Sequence, residues 1–283
     1  VFGDQSFDGS PSPNARAQIV SIKPQYKNTG REYLVKAASY EAVALDGTEF
    51  VIVGTVGNGL NLFVHAGNPP ELVTLTFVFD AATIRSGSIN TASIIAGNFA
   101  AGSKIIIILA NTTDAQSKGG NGGGISLGPS NGLDGGTVYD AQGIDTDIYL
   151  GGATPSTAFP VASGFLRAPG GGGGSGGLFG FINNTGGGGG GAGFDPGDGG
   201  ISFPVSVGSP GNTTGNGGSG GALEGFGGGG DGGDWGIAGI DGQDLGSGTG
   251  GAAGKGVVSG GATVTMFGDT PVNFINGSGD AVS

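Results

Sequence analysis

Two serines stand in the G-x-S-x-G pattern of a hydrolase nucleophile, Ser175 within Gly173–Gly177 and Ser219 within Gly217–Gly221. A nucleophile elbow needs a hydrophobic strand before the serine, a helix after it and a histidine to take the proton. Here glycine flanks both serines, and the single histidine, His65, ends the distant apolar stretch Leu60–Val64. In tracts this rich in glycine such matches arise by chance, as do the several G-x-G-x-x-G matches. One imidazole and no cysteine leave no multi-histidine or thiolate metal centre and no disulfide. The carboxylates could in principle include a glycosidase-like pair, but nothing prefers any two of them, and most adjoin glycine as turn formers. No catalytic residue, metal ligand or cofactor is assigned.

The chemistry that remains is recognition. Tyr139, Tyr149, Phe159, Phe165, Phe194, Phe203, Phe226 and Trp235 all fall between or beside glycine tracts. Aromatic side chains at loop tips anchor receptor contacts. They could equally cap the ends of a bundle, because bare glycine supplies no other core. The receptor-binding candidates are Tyr139, Tyr149, Phe159, Phe194, Asp195, Phe203 and Trp235, whereas Phe179 and Phe181, beside Ile182, lean towards structure.

Something must position these residues, and glycine dominates what is available. Of 283 residues 70 are glycine, concentrated between Gly119 and Gly261. A flexible linker is the first explanation of such composition. Yet apolar residues make up 36% of the chain, and clusters such as Leu178–Ile182 and Ile201–Val205 interrupt the glycines, which favours order. An extended chain with three residues per turn makes no internal hydrogen bonds, so its amides must bond to neighbouring chains, and only glycine permits the close approach. Collagen is excluded because the three-residue glycine period lapses in segments such as Asp140–Leu150 and proline is scarce. A calcium-binding solenoid would need G-G-x-G-x-D units recurring every nine residues; only Gly229–Asp234 approaches one.

The net charge of −12 is the wrong sign for nucleic acid. Against an anionic cell envelope, adhesion would have to come from short-range contacts or bridging cations. The longest apolar run, Ile105–Ala110, has the length of a strand, not a membrane helix. Strands are expected at Gln18–Lys23 and Glu32–Ala38, paired as a hairpin, then at Glu49–Val53, Leu60–Val64, Leu72–Phe79, Lys104–Leu109, Ala262–Phe267 and Val272–Ile275, with essentially no α-helix. The chain opens on Val1, without an initiator Met or a signal-like segment, and reads as part of a longer protein.

Gly102–Leu109 followed by Gly119–Gly123, Phe181–Gly186 running into glycine, and Gly250–Gly260 followed by Ala262–Phe267 resemble elements bordering the glycine region of phage tail adhesins. Gln18–Lys23 and Arg31–Tyr40 resemble the end of the structural portion of tailed-phage tip attachment proteins. This favours a central tail fibre over a detachable adhesin. The resemblance implies a polyglycine II sandwich with host-facing loops, a homotrimer, other tail-tip proteins as partners, and a bacterial outer-membrane protein or surface glycan as receptor. It implies a place at the distal end of the virion's tail, while the charge and the short apolar runs lead us to expect no nucleic-acid partner and no membrane insertion.

The expected fold is therefore an all-β N-terminal part followed by a glycine-rich polyglycine II helix sandwich with loops. The expected division is 1–45 as connector, 46–118 as β-rich domain, 119–261 as glycine-rich domain and 262–283 as closing β segment. The expected function is non-catalytic adhesion to the bacterial surface. The alternatives are a purely structural fibre segment, a calcium-binding glycine-rich solenoid, or a glycan-degrading tailspike.

Overall fold

The computed structural model describes residues 46–57, 59–124, 130–153, 161–177, 187–201, 206–222, 228–243 and 247–268, together with the strand residues 18–19, 42–43 and 274–275. Strand β1 (Gln18–Ile19) pairs antiparallel with β2 (Ala42–Val43). The expected hairpin partner, Glu32–Ala38, lies outside the described residues.

Among the described residues the remaining strands all pair in parallel, and an isolated antiparallel bridge joins Ala153 to Ala162. The chain runs through β3 (Glu49–Gly57), β4 (Leu60–Asn61), β5 (Thr74–Arg85), β6 (Ile94–Ile95), β7 (Lys104–Ala110), β8 (Asp114–Gln116), β9 (Thr137–Asp140), β10 (Asp145–Tyr149), β11 (Phe165–Arg167), β12 (Lys255–Val258), β13 (Val264–Phe267) and β14 (Phe274–Ile275). An eight-stranded sheet has the order β13-β10-β7-β5-β8-β11-β14, with β3 also on β5, and a four-stranded sheet has the order β12-β9-β6-β4. The larger sheet curls as a half-barrel, because the first half of β5 pairs with β7 and the second half with β8. The corner is a backbone event: Ala81 has φ 48° and Gly54 opposite it has φ 78°, and the β3–β5 register slips between Val53 and Thr55.

The strands thus form three rows that the chain visits in turn. Leu75, Phe77 and Phe79 alternate inward from one row, Ile84 and Leu166 from the next, and Ile94, Tyr139 and Val257 from the third, all joining one buried cluster. Parallel pairing follows from the connections, since each return to a row comes after an excursion too long for a hairpin.

The expected fold class is corrected accordingly. In place of an all-β N-terminal part followed by a separate polyglycine II sandwich, the parallel rows recruit β9 to β13 from beyond Lys118 as well as the strands before it. A helix is also present, α1 (Leu62–His65), where a strand to Val64 was expected. Asn61 ends the strand by accepting a hydrogen bond from the Val64 amide at 3.1 Å, and so caps the helix.

Candidate functional site

The chain leaves the rows twice, between β8 and β9 and between β11 and β12, as extended glycine tracts. Successive amides bond to different neighbouring tracts, and each neighbour is met again at every third residue. Gly119 and Gly122 donate to the carbonyls of Asp195 and Asp198, while Gly120 and Gly123 donate to those of Gly170 and Gly173. The spacing leaves no room for side chains: a Cβ on Gly188 would sit well under 3.0 Å from the Gly173 carbonyl. Glycine is required there by close approach rather than by turn geometry.

The tracts alternate in direction, which gives the array two distinct ends. At the near end, beside the rows, Gly136 N–H donates to the Lys118 carbonyl, Gly254 N–H to Pro169 and Gly236 N–H to Ala168. At the far end, Gly177 N–H donates to Gln243, Gln243 N–H to Gly228, Gly187 N–H to Ser206, and Ser130 Oγ–H to Gly124. The far end is where the tracts flanking 125–129, 178–186, 202–205, 223–227 and 244–246 terminate. Two apolar side chains stand open beside 202–205, Ile201 at 71% exposure and Val207 at 55%.

The candidate residues separate along this axis. Phe194 and Asp195 occupy a near-end turn and are pinned to the rows: the Arg85 guanidinium lies 3.7 Å from the Phe194 ring centroid, and Lys118 Nζ meets Asp195 Oδ2 at 2.9 Å. Trp235 is buried at the same end, its amide donating to Gly215, with Arg167 6.0 Å from its ring. Gly215 has φ 122°, and a Cβ there would strike the indole. Tyr139 is fully buried inside the rows, its hydroxyl 2.8 Å from Thr146 Oγ1, and burial pushes its phenol well above the ordinary tyrosine range. Tyr149 lies on the outside of the rows, stacked on Phe267 at 4.5 Å, its phenol raised by desolvation and by Asp147. Phe159 and Phe203 lie outside the described residues, as do Phe179, Phe181 and Phe226. The structure therefore brings Phe194, Asp195 and Trp235 together, at the end beside the rows.

The hydrolase-like serines have other employment. Ser175 is fully buried, its Oγ–H donating to the Ser130 carbonyl while its oxygen accepts the Ser130 amide. Ser219 lies on an exposed tract, and its carbonyl accepts from the Ser209 amide. His65 packs edge-on against Phe50 at 5.5 Å. Among the described residues no group of three or more His, Cys, Asp or Glu is placed to hold a metal ion, and no helix is long and apolar enough to cross a membrane.

Asp134, Asp231, Asp234 and Asp241 share a role that sequence reading assigned to turns. Asp231 and Asp234, three apart, accept the amides of Gly220 and Gly217, also three apart, each at 2.8 Å. Asn131 and Asp134 accept those of Thr249 and Ala252 in the same way, and Asp241 accepts that of Gly250. Each side chain satisfies an outward-facing amide of a neighbouring tract. Matching three-residue spacings were the available signal, but the partner tract was not identifiable.

At the junction with the rows, Asp114 is flanked by Arg167, 3.6 Å away, and bonded by the Gln116 amide. Burial raises its carboxyl above the ordinary range, opposed by Arg167, Gln116 and Arg85.

No protein-family model matches the chain, and no curated protein does. Among solved structures it is similar to the gp37-gp38 adhesin tip complex of the bacteriophage S16 long tail fiber. That likeness has 21% identity and a TM-score of 0.48, covering 78% of this chain and 82% of that one.

Proposed function

We propose that the chain is a receptor-binding region of a phage tail tip, and that it touches the bacterial surface through the far end of its glycine array without catalysis. The observation that carries this reading is topological. The described tract ends that flank 125–129, 178–186, 202–205, 223–227 and 244–246 bond to one another at the end away from the rows. These segments hold Leu178, Phe179, Phe181, Phe203, Leu223 and Phe226, apolar and aromatic types suited to a contact surface. Their flanks are held by a laterally bonded lattice, which limits the ordering cost on binding.

In this reading Phe203 stays a receptor candidate, whereas Phe194, Asp195, Trp235 and Tyr139 serve the support. The rows face the other tail-tip proteins, and a protein or glycan of the outer surface is the receptor. The test is adsorption competition: purified chain added to host cells ahead of the phage should reduce adsorption. A folded chain that leaves adsorption unchanged would favour a purely structural segment, and release of reducing sugar from host polysaccharide would overturn the non-catalytic part.

A further inference from the structure

A groove of about 270 Å³ lies at the step between loop 86–91 and the outer glycine tracts, lined by Gly87, Ser88, Ile89, Lys118, Asn121 and Leu133. It is at the near end, on the flank of the molecule, and separate from the far-end surface. We propose that this groove is a binding subsite for a single neutral sugar ring.

Its polar groups are fixed and point to one chemistry. Asn121 Oδ1 accepts the Asp198 amide at 3.1 Å, which orients the side chain and leaves its NH₂ to donate. Ser88 Oγ accepts the Asn90 amide at 3.1 Å, which leaves its O–H to donate. Among the described residues nothing accepts from either group. Lys118 Nζ is held by Asp195, which stands outside the lining, and keeps protons to spare. Leu133, 47% exposed, supplies an apolar wall for the C–H face of a ring.

The walls are preorganised. Ser86, fully buried, bonds the Ser88 and Thr91 carbonyls and accepts the Ser88 amide, so it ties the loop to itself. Leu133 N–H donates to the Asn121 carbonyl, and Gly136 N–H to that of Lys118. Donors in excess of acceptors suit the oxygens of a polyol. Anions are disfavoured because Asp195 cancels the Lys118 charge and the whole chain carries −12. The volume falls just below the roughly 300 Å³ at which drug-sized sites begin, which suits one ring and not a peptide.

The test is an NMR titration of the whole labelled chain with glucose, galactose, mannose and N-acetylglucosamine in turn, and separately with glucuronate. At least one neutral sugar should shift the Asn121 side-chain amide and the Leu133 methyls together. Ser88→Tyr, which fills the groove, should abolish those shifts, and Leu133→Ala should weaken them, with Trp235 emission unchanged as the check on folding. No shift with any neutral sugar, a response to glucuronate alone, or shifts that survive Ser88→Tyr in a folded chain would each overturn the proposal. Exchange of the far-end segments should leave these shifts intact, so failure here and failure of the adhesion reading are told apart.

Discussion

Replacing Gly188 by alanine adds a single methyl group, and the sign of its effect separates a packed lattice from a loose linker. Where the folded backbone accepts the new residue without strain, Gly→Ala stabilises by about 0.4–1 kcal/mol because it restricts the unfolded state, and in a flexible linker it leaves stability unchanged. In the array the new Cβ would sit well under 3.0 Å from the Gly173 carbonyl, with the Gly174 carbonyl at 2.9 Å behind it. The neighbouring atoms are backbone and cannot swing aside. Relief would require the tract to move, straining the bonds from Gly188 N–H to Gly123 and from Gly200 N–H to Gly188, at 2.9 and 2.7 Å. Overpacking costs about 1–3 kcal/mol, and each weakened bond adds about 0.5–1.5 kcal/mol. A loss of roughly 2–6 kcal/mol is expected, a large share of the roughly 5–15 kcal/mol of a typical domain. Gly228→Ala is the control within the array, since its Cβ would meet nothing nearer than Gln243 Oε1 at 3.5 Å. Urea unfolding followed by the single tryptophan, Trp235, buried at the near end of the array, reads both variants. A Gly188→Ala midpoint at or above wild type, or equal losses at both positions, would refute the close-packing argument.

Asp231→Ala should lose about 0.5–1.5 kcal/mol by unpairing the Gly220 amide, while Asp231→Asn should stay near wild type; equal losses in urea unfolding would show that the charge, not the acceptor, matters. For Asp114, burial raises the carboxyl pKa, so the folded chain holds a proton that the unfolded chain has released. Its contribution to stability therefore falls as pH rises from the ordinary carboxylate value through the raised one. Asp114→Asn should remove that fall, and a stability–pH profile identical to wild type would contradict the assignment. Phe194→Leu removes the ring beneath Arg85 and should lower stability by about 0.5–2 kcal/mol, leaving adsorption competition at wild-type strength. Loss of competition at unchanged stability would return Phe194 to the receptor surface.

The alternation of Leu75, Phe77 and Phe79 made β5 legible as a strand, and the strand-sized apolar run Ile105–Ala110 did the same for β7. Their partners were not legible, because a parallel pairing such as Thr74 with Lys104 joins residues with no turn signal to mark the register. The three-residue strands β8 and β11 were missed for a related reason: stretches so short carry no period, and the rows around them hold them in place. The glycine tracts were visible, and so was the need for lateral hydrogen bonds. Where each aromatic lands was not, since it depends on whether a tract runs toward or away from the rows. Phe194 and Phe203 look alike in sequence, yet the turn of Phe194 is tied to Arg85 and Lys118, whereas the described neighbours of Phe203 in the chain, Ile201 and Ser206, lie at the opposite end.

The central claim is that recognition belongs to the far end of the array, and segment exchange tests it most directly. Residues 202–205 and, separately, the near-end turn 212–216 are replaced by the corresponding residues of a phage with a different host, and adsorption to both hosts is measured. The account predicts that the 202–205 exchange alters which host is bound and that the 212–216 exchange does not. Altered host binding from 212–216 alone, with 202–205 silent in a folded chain, would contradict it.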